Sequence, residues 1–315
     1  MINSRICDLL NIQYPIFQGG MAWVATGELA AAVSEAGGLG IIGSGQAPAD
    51  WVRREIQKVK NRTAKPYGVN VMLMSPFLEE VMQVIREERV PVITTGAGNP
   101  GKYVLALKEI GTKVIPVVAS VALAKRLERA GVDALIAEGM ESGGHIGETC
   151  TFPLVPQVVD AVKIPVIAAG GIVDGRGLLA ALALGAEGVQ MGTRFMCAEE
   201  CVVSPKVKEV ILKAKDRDTA VTGRSTGHPV RCIDNRFTRE FAQMEKDGVS
   251  PVELEKLGAG KLRIAMVDGD VQNGSVMSGQ VAGAVTRIEP AAAIVRDVME
   301  GAEREIQKMS KRFTF

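Results

Sequence analysis

The 315-residue sequence carries almost no net charge, with 37 Lys and Arg residues against 36 Asp and Glu residues. No global electric field would therefore draw the protein to nucleic acid or to an anionic membrane. A membrane-length apolar run is also missing, because polar residues, glycines and a proline interrupt the longest uncharged stretch, from Leu9 to Gly27. We expect neither a nucleic-acid partner nor a membrane span.

Cysteine and histidine are scarce as well. The five cysteines include no CxxC pair, and only two histidines are present to complete a zinc site. Cys197 and Cys201 could share a helix face, but buried small side chains explain them better than a metal pair. We predict no metal site, and the absence of a disulfide pattern favours a reducing cytoplasm.

Aromatic residues make up only 4% of the chain, whereas short runs rich in Val, Ile, Ala and Gly recur throughout it. These runs predict eight strands, at Pro15–Gln18, Leu39–Gly43, Tyr67–Leu73, Pro91–Thr95, Lys113–Val118, Asp133–Ala137, Pro165–Ala169 and Glu187–Met191. Between them, apolar residues at helical spacing predict helices, at Gly27–Ala36, Pro76–Glu88, Lys102–Ile110, Val121–Ala130, Leu154–Val162 and Gly177–Leu184. Several of these helices end at a glycine suited to a left-handed cap, namely Gly37, Gly111, Gly131 and Gly185.

Eight alternating strand and helix units favour a closed α/β barrel, the (β/α)8 TIM barrel, over an open doubly wound sheet. We assign residues 1–194 to the barrel and residues 195–283, where the alternation breaks, to an inserted smaller lid domain. Residues 284–315 are predicted to return as a helical segment, with its helix at Pro290–Lys311, that packs back on the barrel. The lysines at the start of the lid are interpreted as a solvated helix face, with Lys206, Lys208, Lys213 and Lys215 as its members.

Barrel enzymes carry their chemistry in the loops after the strands, and these loops are rich in glycine here. The loop Gly96–Gly101 formally matches the GxGxxG dinucleotide fingerprint. It follows the fourth strand rather than the first, and no acidic residue stands about 20 positions later, so we reject a Rossmann interpretation.

The loops after the seventh and eighth strands contain Gly170-Gly171 and Gly192-Thr193. Barrels commonly bind phosphate at this place through backbone N–H groups, which glycine leaves accessible. The alternative for either loop alone is a glycine that only turns the chain.

The loop after the sixth strand contains the barrel's only histidine, within Gly143-Gly144-His145-Ile146-Gly147. An imidazole at this end of a barrel, between glycines that let a flat ligand approach, suits a proton donor or hydrogen-bond donor. The alternative is a histidine that only fixes the loop geometry. The second histidine, His228, falls in the predicted lid.

Several runs together resemble the FMN-dependent enoyl-acyl-carrier-protein reductases, the enoyl-ACP reductase II type. The resemblance spans essentially the whole chain and is carried by Pro15–Trp23, Ala36–Gly40, Thr94–Pro100, Gly143–Gly147, Ala168–Ile172 and Gly192–Phe195. These reductases belong to a wider flavoenzyme group that includes the nitronate monooxygenases. Trp23 and the Gly-Ala-Gly-Asn-Pro stretch resemble the reductases more than the monooxygenases.

The resemblance implies NADH-dependent reduction of trans-2-enoyl-acyl-carrier-protein through bound FMN, the last step of the fatty-acid elongation cycle. It implies a catalytic role for His145 at the thioester. It also implies a set of FMN-binding residues: Gly20, Met21, Ala22, Asn70, Glu138, Gly143, Gly144, Gly170, Gly171, Gly192, Thr193 and Gln280. The same resemblance implies acyl carrier protein as the partner and a homodimer. It leaves open whether the protein requires a monovalent cation.

Three alternatives remain open at this point. One is a nitronate monooxygenase, which oxidises alkyl nitronates with the same fold and cofactor. Another is a nucleophilic cysteine after the sixth strand, as in barrels related to inosine-monophosphate dehydrogenase; Cys150 stands there, but in what the pattern predicts to be a helix start. The third is a flavin-binding protein without catalysis.

Overall fold

A computed structural model describes residue 2 and residues 4–312 of the chain. Eight parallel strands form its centre, and each predicted strand is confirmed to within two residues at either end. The strands are β1 (Ile16–Gln18), β2 (Gly40–Gly43), β3 (Tyr67–Met72), β4 (Val92–Gly96), β5 (Lys113–Val118), β6 (Leu135–Glu138), β8 (Val166–Ala169) and β9 (Gly188–Met191). A further strand of two residues, β7 (Gly144–His145), lies in the loop after β6.

The eight strands close into a barrel. Their order is β1-β9-β8-β6-β5-β4-β3-β2, so neighbours in sequence are neighbours in space apart from the β7 interruption. The ring closes where the Leu39 N–H donates to the Ile16 carbonyl at 2.9 Å and the Gln18 N–H donates to the Leu39 carbonyl at 3.0 Å. This confirms the predicted (β/α)8 barrel.

Helices surround the barrel and connect its strands. They are α1 (Arg5–Leu10), α2 (Gly27–Glu35), α3 (Ala49–Lys60), α4 (Leu78–Glu87), α5 (Gly101–Glu109), α6 (Val121–Arg129), α7 (Thr151–Ala161), α8 (Gly175–Ala183) and α9 (Thr193–Met196). The glycines predicted as left-handed helix caps have positive φ angles, at Gly37, Gly111, Gly131 and Gly185. Within the described residues, no helix has both the length and the apolar character needed to cross a membrane.

Two apolar layers hold this arrangement together. One lies between strands and helices, and the other fills the barrel interior with side chains such as Phe17, Ile41 and Ile136. Ile6 and Leu10 of α1 join the inner layer and close the N-terminal end of the barrel. Burying each such side chain stabilises the fold by roughly 1.5–3 kcal/mol, so the closed end is a rigid floor beneath the loops at the other end.

The segment from α10 to the 3-10 helix contains four helices and a hairpin, of which the sequence pattern indicated only the helix that carries the lysine run. Its elements are α10 (Pro205–Lys213), β10 (Thr219–Thr222), β11 (Val230–Ile233), α11 (Arg236–Lys246), α12 (Pro251–Gly258), α13 (Lys261–Met266) and a 3-10 helix (Gln280–Ala284). β11 pairs with β10 on one side and with β7 on the other, which ties this segment to the loop after β6. The final helix, α14 (Ala291–Ser310), packs against α8 and α2. The division of the chain at residues 194 and 283 stays a prediction.

The interpretation of the lysine run as a solvated face is wrong for one member. Lys208 is buried, and its Nζ donates to the Ala198 carbonyl at 2.6 Å. A buried ammonium group is tolerated only where it is hydrogen-bonded, and this one ties α10 to the turn after β9.

Candidate functional site

The top of the barrel interior is polar, in contrast to its apolar floor. Side chains two apart on a strand share a face, so Glu138 follows the interior residue Ile136 toward the C-terminal mouth. On β3, Asn70 donates from Nδ2 to Thr94 Oγ1 of β4 at 2.9 Å. These groups form the bottom of an open mouth into which the loops after the strands project.

The loop after β1 passes close to its neighbours. A Cβ on Gly20 would lie 2.1 Å from the Asn70 Cβ, so only glycine lets the chain pass there. The main chain of Met21 packs on Gly43, and the Met21 sulfur lies 3.4 Å from the Cβ position of Gly192. Predicted cofactor residues from the loops after β1 and β9 and from the strand β3 therefore meet on this side of the mouth.

Two residues of these loops have strained backbones. Trp23 and Ala97 have φ angles of +65° and +56°, a region that side chains other than glycine rarely enter. Such strain costs of order 1–3 kcal/mol and persists where the surrounding packing imposes it, often beside a functional site. Ala22, the neighbour of Trp23, is held by Gly45, where an added Cβ would come within 2.6 Å of the Ala22 Cβ.

The loop after β6 is anchored by Glu141, which sequence reasoning missed. Its carboxylate accepts hydrogen bonds from the Thr151 N–H at 2.9 and 3.0 Å and from the Thr151 hydroxyl at 2.9 Å. Thr151 begins α7, so the negative charge lies at a helix N-terminus, where it is favoured. The Thr151 hydroxyl also lies 3.0 Å from the Gly170 carbonyl, which links the β6 loop to the loop after β8.

The glycines predicted to bind phosphate lie next to this anchor. Gly170 and Gly171 have φ angles of +96° and +72°, and a Cβ on Gly171 would contact the Glu141 Cβ at 3.3 Å. The Gly170 N–H continues the ladder between β8 and β9, in which Ala169 pairs with Gln190. Among the described residues, the N–H groups of Gly171 and Gly192 donate to no protein acceptor. These N–H groups are therefore available to an anion.

The return segment after α13 closes the ring of loops. The Gly279 N–H donates to the Thr193 hydroxyl at 2.9 Å, and the Gln280 N–H donates to the Glu141 carbonyl at 2.9 Å. A Cβ on Gly143 would lie 2.7 Å from the Ser278 main chain. The predicted residues Gly143, Thr193 and Gln280 are thus brought together by main-chain contacts, while the Gln280 side chain is exposed.

His145 lies at the rim of the mouth on the short strand β7. Its Cα pairs with that of Val230 in β11, and the next N–H, that of Ile146, donates to the Pro229 carbonyl at 3.0 Å. The residue is exposed, yet enough protein surrounds the ring to desolvate its charged form. This burial, together with the positive charge of His228, lowers the pKa of His145 below its usual value near 6.5. The imidazole is accordingly neutral at neutral pH.

Glu138 is a titratable group at the end of β6, inside the mouth. Burial raises the pKa of its carboxyl group to about 7, and a hydrogen bond with Ser142 opposes part of that rise. A carboxyl group in this setting is partly protonated near neutrality, so it can donate as well as accept a hydrogen bond.

Arg231 of β11 is a second residue that the sequence did not single out. Its side chain is buried, and its Nε donates to the Met140 carbonyl at 3.0 Å while a second guanidinium nitrogen donates to the Thr219 hydroxyl at 3.1 Å. Arg231 therefore fastens the β6 loop to the hairpin. No local sequence motif predicts this contact, because it depends on a strand pairing between segments far apart in the chain.

Cys150 precedes α7, as the sequence predicted, and its side chain is exposed. Cys197 and Cys201 are buried, and the Cys201 sulfur contacts the Val24 carbonyl at 3.8 Å. Across residue 2 and residues 4–312, no group of three or more His, Cys, Asp or Glu side chains is arranged to hold a metal ion.

Two surface cavities lie away from the mouth. The larger, about 400 Å³, borders Arg194 and α14, and the other, about 380 Å³, borders α2 near Glu28. The charged groups that line the larger cavity already have ion-pair partners, either in the lining, as in the Arg287–Asp297 pair, or beside it, as in the Arg194–Glu289 pair. Neither cavity contains the convergent glycine loops, so we place the candidate active site at the barrel mouth.

Comparison with known proteins agrees with this placement. The model of the nitronate monooxygenase family matches residues 3–87 and 75–301. A probable nitronate monooxygenase from Staphylococcus aureus strain MSSA476 is 36% identical over 96% of this chain and 98% of its own length. The chain belongs to the nitronate monooxygenase family, a family of FMN-dependent oxidoreductases.

Solved structures divide between two activities. FabK from Thermotoga maritima, an enoyl-ACP reductase II, superposes with a TM-score of 0.97 at 53% identity and covers 99% of this chain and 100% of its own. A nitroalkane oxidase from Streptomyces ansochromogenes superposes with a TM-score of 0.87 at 30% identity and covers 97% of this chain and 100% of its own. The resemblance to the reductases noted from the sequence is confirmed.

The residues at the mouth fit FMN. The unpaired N–H groups of Gly171 and Gly192 suit a phosphate, and neither Gly20 nor Gly143 has room for a side chain. The Ser278 hydroxyl is fully buried beside them and has no hydrogen-bond partner among the described residues. A buried hydroxyl without a partner costs about 1–3 kcal/mol, which a polar ligand would offset.

Proposed function

We propose that the protein is an NADH-dependent enoyl-acyl-carrier-protein reductase that uses FMN. The substrate would be a trans-2-enoyl thioester on acyl carrier protein, and the product the saturated acyl thioester. The partner in this reaction is the carrier protein that presents the acyl chain.

The observation that carries the proposal is the match to FabK over 99% of this chain, which includes the segment after β9. At 53% identity it exceeds the 30% and 36% found with the nitroalkane oxidase and the probable monooxygenase. Fold alone would not separate these activities, because the barrel is common to all of them. The higher identity favours the reductase.

We assign the cofactor to the mouth by its donor set. Gly170, Gly171, Gly192 and Thr193 would hold the phosphate, with the N–H groups of Gly171 and Gly192 among the donors. The remaining proposed contacts lie around the ring and ribityl chain, at Gly20, Met21, Ala22, Asn70, Glu138, Gly143, Gly144 and Gln280. Bound FMN would supply hydride transfer from NADH to the β-carbon of the enoyl thioester.

His145 is the proposed catalytic residue. Negative charge develops on the thioester oxygen during the reaction, and an N–H placed at that oxygen stabilises it. A neutral imidazole retains one N–H donor, so the lowered pKa of His145 is compatible with this role. The same nitrogen can deliver a proton to the α-carbon, provided the ring is reprotonated.

The test begins with the visible spectrum of the purified protein, which reports bound flavin. NADH consumption is then followed with a crotonyl thioester and, separately, oxygen consumption with an alkyl nitronate. Oxidation of NADH that depends on the enoyl thioester supports the reductase. Nitronate oxidation without NADH would instead favour the monooxygenase, and bound flavin without either activity would favour a flavin-binding protein.

Replacing His145 separates its role from cofactor binding. We expect His145→Ala to keep FMN bound and to slow enoyl reduction by about 10²–10⁴-fold, the usual contribution of a positioned acid or base. Loss of flavin from this variant would mean that the loop serves the cofactor rather than the substrate.

A further inference from the structure

The only two histidines of the chain lie close together across one strand pairing. His145 of β7 pairs with Val230 of β11 in antiparallel register, and the pairing continues through the hydrogen bond from the Ile146 N–H to the Pro229 carbonyl. His228 is therefore a diagonal neighbour of His145. Diagonal neighbours lie about 7–8 Å apart, which long and aromatic side chains can bridge.

The side chain of His228 is directed by the residue that follows it. Because proline disfavours a helical conformation at the residue before it, we infer that His228 extends the alternation of β11, which begins at Val230, and shares a face with Val230. Val230 in turn shares its face with His145, its cross-strand partner. The two imidazoles thus project to the same side of the small sheet, and the effect of the His228 charge on His145 is consistent with this proximity.

The turn that carries His228 is well anchored. The His228 N–H donates to the Thr226 hydroxyl at 3.3 Å, and the Glu245 carboxylate of α11 accepts from the N–H groups of Gly223 at 3.0 Å and Ser225 at 3.1 Å. His228 is therefore held at a defined place while its side chain remains exposed to water.

Other charged groups near the two histidines already have hydrogen-bond or ion-pair partners. Arg231 donates to the Met140 carbonyl and the Thr219 hydroxyl, and Glu148 forms an ion pair with Arg224 at 2.9 Å. Cys150 is exposed at the start of α7, across the β6 loop. Among these groups, His228 combines exposure to water with an imidazole ring, which can both accept and donate a proton.

The chemistry of His145 calls for such a partner. A neutral imidazole that releases its N–H proton to a carbon atom would become an imidazolate, a very strong base, unless its second nitrogen gains a proton at the same time. A proton donor on the solvent side of His145 would supply this second proton.

We propose that His228 relays protons from water to His145 during reduction of the enoyl thioester. One ring nitrogen of His145 gives its proton to the α-carbon, while the other accepts a proton from His228, directly or through one water. The N–H bond lost at His228 re-forms from bulk water. The substrate gains this proton at the α-carbon and a hydride, ultimately from NADH, at the β-carbon, so the step balances. The relay rests on the proposed function.

Rapid-mixing kinetics separate the relay from the rest of the cycle. In dilute, non-imidazole buffer, His228→Gln should leave flavin reduction by NADH within about twofold of wild type but slow enoyl reduction at least about tenfold. Added imidazole should restore much of the lost rate, and Lys256→Gln, which removes an exposed cation from the same lid, should resemble wild type. Normal enoyl reduction by His228→Gln in dilute buffer would overturn the relay alone. No enoyl reduction by the wild-type protein would overturn the proposed function, and the relay with it.

A second measurement does not depend on catalysis. Because the chain has two histidines, its histidine ring NMR spectrum contains two Cε1–Hε1 signals, provided that the affinity tag carries none. His228→Gln should raise the pKa of the remaining signal, that of His145, by removing the neighbouring positive charge. An unchanged titration of His145 would show that the two rings do not communicate and would overturn the relay.

Discussion

The carboxyl group of Glu138 links the stability of the protein to pH in a way that a single substitution can expose. Burial at the barrel mouth raises its pKa from 4.5 to about 7, so ionising it in the folded protein costs up to about 3 kcal/mol. Well below pH 4.5 the Glu138 carboxyl group is protonated in both the folded and the unfolded chain, so its burial does not lower the free energy of unfolding. As the pH rises from 4.5 through 7, the Glu138 carboxyl group ionises first in the unfolded chain, so the free energy of unfolding decreases.

Glu138→Gln removes this cost because an amide does not ionise. Since Glu138 retains some contact with water, we expect the flavin-free variant to exceed wild type in free energy of unfolding by about 2 kcal/mol more at pH 8 than at pH 5. Urea unfolding of both proteins at intervals between these two values measures the difference. The exposed residue Glu109 provides a control, since Glu109→Gln should follow wild type across the range. A constant difference between Glu138→Gln and wild type from pH 5 to pH 8 would refute the burial argument.

Two further substitutions test the site. Gly143→Ala places a methyl group 2.7 Å from the Ser278 main chain, so it should destabilise the protein by about 1–3 kcal/mol and weaken FMN binding. Urea unfolding measures the first effect and fluorescence titration the second. Gly258→Ala, where the nearest atom is 3.8 Å away, should be nearly neutral, and equal stability of the two variants would contradict the close packing. Cys150→Ser should leave turnover of the enoyl thioester intact, and a loss of more than about tenfold would revive the nucleophile alternative.

The barrel could be predicted from the sequence because its signals are local. Each strand is a short β-branched run, and each glycine cap marks the end of one helix, as at Gly185. Alternation along β6 could also have placed Glu138 inside the mouth, since Ala134 and Ile136 precede it on the inner face.

The remaining features depend on contacts between distant segments. The two residues of β7 are too few to produce a strand pattern, and they pair only because β11 lies beside them. Glu141 resembles any loop carboxylate until α7 presents the N–H of Thr151 to it. Lys208 has a sequence context typical of a surface helix, and its burial follows from how α10 packs under the turn after β9.

The pairing of β7 with β11 also limits which segments could be exchanged between this protein and its relatives in a chimera. The strand that carries His145 belongs to one segment of the chain, while its partner strand and the guanidinium of Arg231, which holds Met140, belong to another. A chimera that takes the segment with β10 and β11 from a nitronate monooxygenase would therefore have a foreign partner strand for the histidine loop, even with every barrel residue unchanged. Transplanting the two segments together is the exchange that keeps the strand of His145 with its own partner strand and Met140 with its own arginine.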